Sequence, residues 1–193
     1  MAADIDSKRK TRRIAQHEAG HYVVARVLGF TAWGPRLKLI TGGGYIGQAE
    51  IALQKTLQTI DEIKSYLRGR AIVLAAGALG ESIELGRVHR VEAVDIFRGA
   101  SAQQDYAKYR EMVYLMRSVE HAATDNLEEL EKQLSEIDGA IWDEAMQLVR
   151  DEQELIVELA KMLAAKVSRH DEFVELTIAE IDALPSIQKR FPV

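Results

Sequence analysis

The chain has 193 residues, a formal net charge of −5, 47% hydrophobic and 28% charged residues and only three prolines. That composition excludes a disordered or collagen-like chain, and the length fits one domain, or one domain with a helical appendage. There are no cysteines, so disulfides, thiol catalysis and thiolate metal sites are excluded together, and any metal must be held by His, Asp or Glu.

Residues 1–11 are polar and basic and read as a flexible arm without the apolar core of a signal peptide. From Arg12 to Leu28 the pattern is helical, with Ile14, Ala15, Ala19, Tyr22, Val23, Val27 and Leu28 apolar and Gly29 at the C-cap position. Trp33-Gly34-Pro35 breaks the chain. Arg36–Ile40 alternates as a strand, Thr41–Gly44 is a turn with no phosphate-loop context, and Tyr45–Leu53 reads as a second strand. Helical periodicity returns near Thr59 and runs to about Leu85, with small residues at Ala75, Ala76, Gly77, Ala78 and Gly80 that suit close packing. Residues 86–99 read as a loop, and Ser101–Val119 as a helix. The stretch from Thr124 to Lys166 is too long for one ordinary helix; a break is expected at Arg150-Asp151 with Asp151 as N-cap, and a bend at Gly139. Thr177–Leu184 is a short helix before Pro185. The predicted class is mainly α, with a small β-ribbon at about residues 36–53. Trp33 and Trp142 are expected in the core, His89, His121 and His170 at the surface or in packing. Leu127, Leu130, Leu134 and Ile137 are expected on a face for internal packing or an oligomer contact.

The segment that carries chemistry is His17-Glu18-Ala19-Gly20-His21. Residues i and i+4 of a helix share a face, so His17 and His21 can offer two imidazole nitrogens to one cation. Glu18 lies one residue round the helix, beside the position left for water, where it can take up a proton. A pentapeptide of this form arises by chance in about one chain of this length in a hundred. Its flanks, Ile14, Ala15, Val23, Val24 and Val27, are apolar. A buried His-Glu-His face without a counter-ion is costly.

HEAGHYVVARVLG resembles the peptidase domain of FtsH, the membrane-bound ATP-dependent zinc protease. Arg36–Ile40 with Gly44-Tyr45-Ile46-Gly47 is similar to the family's strand pair after the zinc helix. Ala75–Gly86 looks like its small-residue helix, and Gly99-Ala100-Ser101 with Asp105 resembles the segment that supplies its third zinc ligand. The resemblance covers about residues 12–185. It implies a helical zincin-like peptidase domain, with residues 12–122 as the zinc peptidase core and 123–193 as a C-terminal helical part packed on the same domain. It also implies one Zn²⁺ per chain held by His17, His21 and Asp105, with Glu18 as general base. The spacing before Asp105 is longer than the family's, and Asp95 is the alternative third ligand. Glu81 and Glu84 read as partners for a histidine or an arginine.

The resulting expectation is a zinc metalloendopeptidase that cleaves unfolded or extended polypeptide without an ATPase of its own, with Tyr45, Ile46 and Gly47 touching substrate through a strand edge. The alternative is an inactive metal-binding or protein-interaction module on the same fold. A polypeptide substrate is the expected partner, and a separate ATPase or adaptor in trans and a homo-oligomer are compatible with the sequence. The acidic balance argues against nucleic acid. No run approaches the roughly 18 apolar residues of a membrane span, so a cytoplasmic location is expected.

Overall fold

Apart from Gln16 and the His17-Glu18-His21 face, Ile14 to Ala25 is apolar, and a helix of that kind is buried on most sides. The computed structural model describes residues 2–52, 55–99 and 102–192. In it this stretch lies at the centre of α1 (Ala2–Val27), with Ala15, Ala19 and Tyr22 to Ala25 fully buried. α1 packs on α2 (Ile60–Glu81) and α6 (Gln153–Lys166). α2 is the second central helix, covered also by α3 (Arg90–Arg98), α4 (Gln103–Glu120) and α5 (Leu127–Asp151). Its small residues decide how close α1 comes. A Cβ on Gly80 would fall 2.6 Å from the Gln16 carbonyl oxygen and 3.3 Å from the Gly20 Cα, and one on Gly20 would fall 3.2 Å from the Ala76 carbonyl carbon. The two backbones touch there, which fixes the height of the histidine face over α2.

The expected N-terminal arm is instead helical: α1 begins at Ala2, and Met1 lies outside the described residues. Two of its basic side chains find carboxylates. Arg9 pairs with Glu84 at 2.9 Å and Arg13 with Glu92 at 2.6 Å.

β1 (Arg36–Leu39) and β2 (Tyr45–Gln48) form the expected antiparallel ribbon, Leu39 opposite Tyr45. Gly42, Gly43 and Gly44 all have positive φ in the intervening turn, which side chains rarely adopt. The second strand is shorter than predicted. It ends at Gln48, a bridge joins Ala32 to Ile51, and Leu53 lies outside the described residues. A third strand, β5 (Val174–Glu175), arrives from far along the chain and pairs with the other side of β1, giving the order β2-β1-β5. Trp33 is not in the core but 46% exposed, because Phe30 on the same segment fills the interior. Trp142 is buried, 5.6 Å from the Phe97 ring.

The predicted loop at 86–99 is structured. β3 (Ile83–Glu84) and β4 (Arg87–Val88) form a tight hairpin, and α3 follows directly. Ala93 and Phe97, one helical turn apart, bury the inner face of α3. In the C-terminal half the break falls one residue later than predicted. α5 runs without interruption through Gly139 to Asp151, and Glu152, not Asp151, is the N-cap of α6. Glu152 is buried and accepts a hydrogen bond from Arg190 at 2.7 Å, a partner that Asp151 lacks. Ile137 is buried, Leu134 packs against the core and Leu127 is exposed, so the predicted apolar face of α5 is internal only at its C-terminal end. α7 (Ile178–Asp182) is capped by Thr177 and Glu180, and an unpredicted α8 (Pro185–Arg190) follows with proline at its first turn. Among the described residues no helix is long and apolar enough to cross a membrane.

Candidate metal centre

One helical turn separates His17 from His21, and both rings lie buried over Gly77 of α2. A Cβ on Gly77 would fall 2.7 Å from the His17 Nε2 and closer still to the His21 Nε2, so glycine makes the floor of the site. The rings stand nearly perpendicular, with centroids 4.7 Å apart.

Each imidazole is held by its Nδ1. That of His17 lies 3.0 Å from the Glu81 carboxylate, and that of His21 lies 2.7 Å from the Val73 carbonyl oxygen. A carbonyl oxygen can only accept, so His21 carries its proton on Nδ1 and turns a lone pair outward on Nε2. Glu81 favours the same tautomer for His17. Both Nε2 atoms then point at one oxygen, Oδ2 of Asp105, at 3.2 Å each.

Two imidazole lone pairs and a carboxylate oxygen facing one another require a cation between them. In the metal-free chain a proton takes that role. Burial opposes a charge on His17, but the hydrogen bonds to Asp105 and Glu81, with the charges of Glu18 and Asp105, outweigh it and lift its pKa from 6.5 to about 10. Asp105 is pushed down in turn: burial works to raise it, and the two histidines overcome that. The three donor atoms lie within 4.8 Å of one another. The 3.2 Å nitrogen–oxygen separations match the ligand–ligand edge of about 3.4 Å in a tetrahedral site with ~2.1 Å bonds. Two nitrogens and one carboxylate oxygen therefore fit a zinc-like divalent cation.

Of the two aspartates considered for the third position, the fold brings Asp105 to the histidines, from the first turn of α4. Asp95 sits on the exposed side of α3 and is not part of the cluster. Ala100 and Ser101, which precede Asp105 in the resemblance, lie outside the described residues. Glu81 touches both a histidine and, at 4.0 Å, the Arg13 guanidinium, whereas Glu84 pairs with Arg9.

Glu18 is buried beside the cluster, and burial pushes its pKa up against the opposing charges of His17 and His21. Gly47 of β2 passes so close over its carboxylate that any Cβ there would collide with it. A cleft of about 620 Å³ opens at this point. Its floor is His17, Glu18 and His21. One wall is Tyr45 to Ala49 and the other runs from Ala102 to Asp105 and on to Lys108. Among the described strands β2 pairs only with β1, so its second edge is unpaired. Tyr45, Ile46 and Gly47, singled out from the sequence, all line the cleft. Sequence reasoning missed Gly77 as the floor and Val73 as an anchor. The run of small residues at 75–80 hinted at the first; a backbone carbonyl leaves no signal for the second. His89 and His170 are exposed and His121 half-buried, away from the cluster. No protein-family model matches the chain, and no curated protein matches it.

Proposed function

We propose that the chain is a zinc-dependent metalloendopeptidase of the FtsH peptidase type that cleaves unfolded or extended polypeptide. The observation that carries this reading is the convergence of His17 Nε2, His21 Nε2 and Asp105 Oδ2 beside the buried Glu18, in a cleft walled by an unpaired strand edge. Zinc held by those three side chains supplies a Lewis acid for the scissile carbonyl and a water acidified towards neutrality.

The chain's own groups do the rest. Glu18 takes the proton of the attacking water and passes it to the leaving amine. Its raised pKa suits the second task, because the protonated carboxyl is easier to form there than in water. Glu81 and the Val73 carbonyl hold the two imidazoles in the tautomer and orientation that ligation needs. The free edge of β2 offers main-chain donors and acceptors to an extended peptide, which gives affinity with little demand on side chains. A folded domain keeps most of its backbone paired internally, whereas an unfolded or extended segment has its main chain free to join that edge.

The test is Glu18→Gln. The variant should keep one zinc per chain by elemental analysis and lose hydrolysis of an unfolded protein such as reduced, alkylated casein. Hydrolysis at the wild-type rate would refute the mechanism. A wild-type protein that takes up no zinc would favour the interaction-module reading instead.

A further inference from the structure

The cleft carries charge in an uneven way. Of its two lining carboxylates, Asp105 is engaged by both histidines and Glu18 is buried beside them. Apart from the two histidines of the cluster, every other lining residue is neutral except Lys108. Lys108 lies three residues after Asp105, on the same face of α4, and is exposed. Among the described residues its ammonium has neither an ion-pair nor a hydrogen-bond partner, and the same holds for the amides of its neighbours Gln103 and Gln104. A second ammonium stands beside the opposite wall, near Tyr45. Lys10 lies two turns before His17 on α1 and approaches the Tyr45 ring to 5.8 Å. The chain as a whole is acidic, with a net charge of −5, yet the charges beside its cleft that are left over for a ligand are both positive.

We propose that the cleft selects polypeptides with acidic side chains close to the scissile bond, and that Lys108 is the residue that reads that charge. The inference rests on the peptidase reading for the words "scissile bond", but not for the charge preference itself. A peptide laid along β2 passes between that strand and α4, so its side chains on the α4 side come within reach of Lys108. An acidic side chain gains an ion pair there and a basic one meets a like charge. Lys10 adds the same sign beside Tyr45. At a partly exposed site each such interaction is worth about fivefold in affinity, and it weakens with salt.

The experiment uses the zinc-loaded Glu18→Gln protein and fluorescent peptides of one sequence carrying Glu, Gln or Lys at the positions flanking the centre, with binding followed by anisotropy. The Glu peptide should bind about tenfold more tightly than the Lys peptide at low ionic strength, and the ratio should shrink at 0.5 M salt. Adding Lys108→Gln should bring the ratio close to that of Lys10 alone, and adding Lys108→Glu should invert it. Lys161→Glu, the same charge change on an exposed position of α6, should leave the ratio in place. Equal binding of the Glu and Lys peptides, or a ratio untouched by Lys108→Glu in a protein of normal zinc content and Tm, overturns the proposal. Wild-type cleavage of the same peptides separates the two readings. If nothing is cleaved but the charge preference holds, the peptidase reading fails and the charge-selective cleft stands. If cleavage occurs without charge preference, the reverse is true.

Discussion

Replacing Gly77 by alanine adds one methyl group at the floor of the candidate metal centre. The ideal Cβ would lie 2.7 Å from the His17 Nε2 and 2.5 Å from the His21 Cε1, where ordinary contact begins at about 3.4 Å. The rings must retreat by roughly 0.7–1.0 Å. They cannot do so freely, because His17 is tied to Glu81 at 3.0 Å and His21 to the Val73 carbonyl at 2.7 Å. Breaking one of those buried hydrogen bonds costs about 1–3 kcal/mol, against roughly 1 kcal/mol gained from the better helix propensity of alanine. The metal-free fold should therefore lose about 0–2 kcal/mol, whereas zinc affinity should fall at least about 100-fold, since both ligating atoms move and the methyl intrudes between them. Competition with a chromophoric chelator measures the affinity, and urea unfolding followed by circular dichroism measures the stability. Gly139→Ala is the control. Nothing lies within 4 Å of its added Cβ, so it should raise stability by about 0.5–1 kcal/mol and leave zinc binding alone. If Gly77→Ala bound zinc as tightly as wild type, the site would not be built on the floor of α2 as described.

Other substitutions probe the supports around that site. Glu81→Ala should weaken zinc binding by about 10- to 100-fold while leaving the three ligands present, because His17 loses the acceptor that orients its ring. Gly20→Ala forces α1 off the α2 backbone and should cost about 1–3 kcal/mol in urea unfolding; a neutral outcome would contradict the close crossing. Stability of the metal-free protein should depend on pH through His17. Its folded pKa of about 10 lies above the unfolded 6.5, so its contribution is complete below pH 6.5 and is lost as pH rises through 10. Thermal melts in a chelator should show Tm falling across that window. Zinc uptake at pH 7 should release protons, detectable calorimetrically in buffers of different ionisation enthalpy. Thr59→Ala removes one half of the capping box of α2 and should cost about 1 kcal/mol, because the Glu62 backbone N–H loses its acceptor while the Glu62 carboxylate keeps the Gln58 and Thr59 N–H groups.

The sequence determined whatever a local pattern can encode. One turn of helix between His17 and His21 puts two imidazoles on one face in any fold. The apolar flanks require that face to be buried, and the alternation at 36–39 and 45–48 with glycines between makes a hairpin. The central helices were legible to within a few residues for the same reason: periodicity and small residues are properties of a short window. The basic N-terminus and the 86–99 segment were not legible, because their order comes from partners. Arg9 and Arg13 become helical surface by meeting Glu84 and Glu92, and α3 is held by Ala93 and Phe97 docking on residues elsewhere in the chain. Tertiary structure alone chose between Asp105 and Asp95. Both are aspartates at workable distances along the chain, and only the packing of α4 against α2 carries one of them to the two Nε2 atoms. It likewise brought β5 to the sheet and left the far edge of β2 unpaired beside Glu18. Which residues meet across a cleft depends on how elements are stacked, and stacking is set by the sum of many contacts that no single stretch of sequence contains.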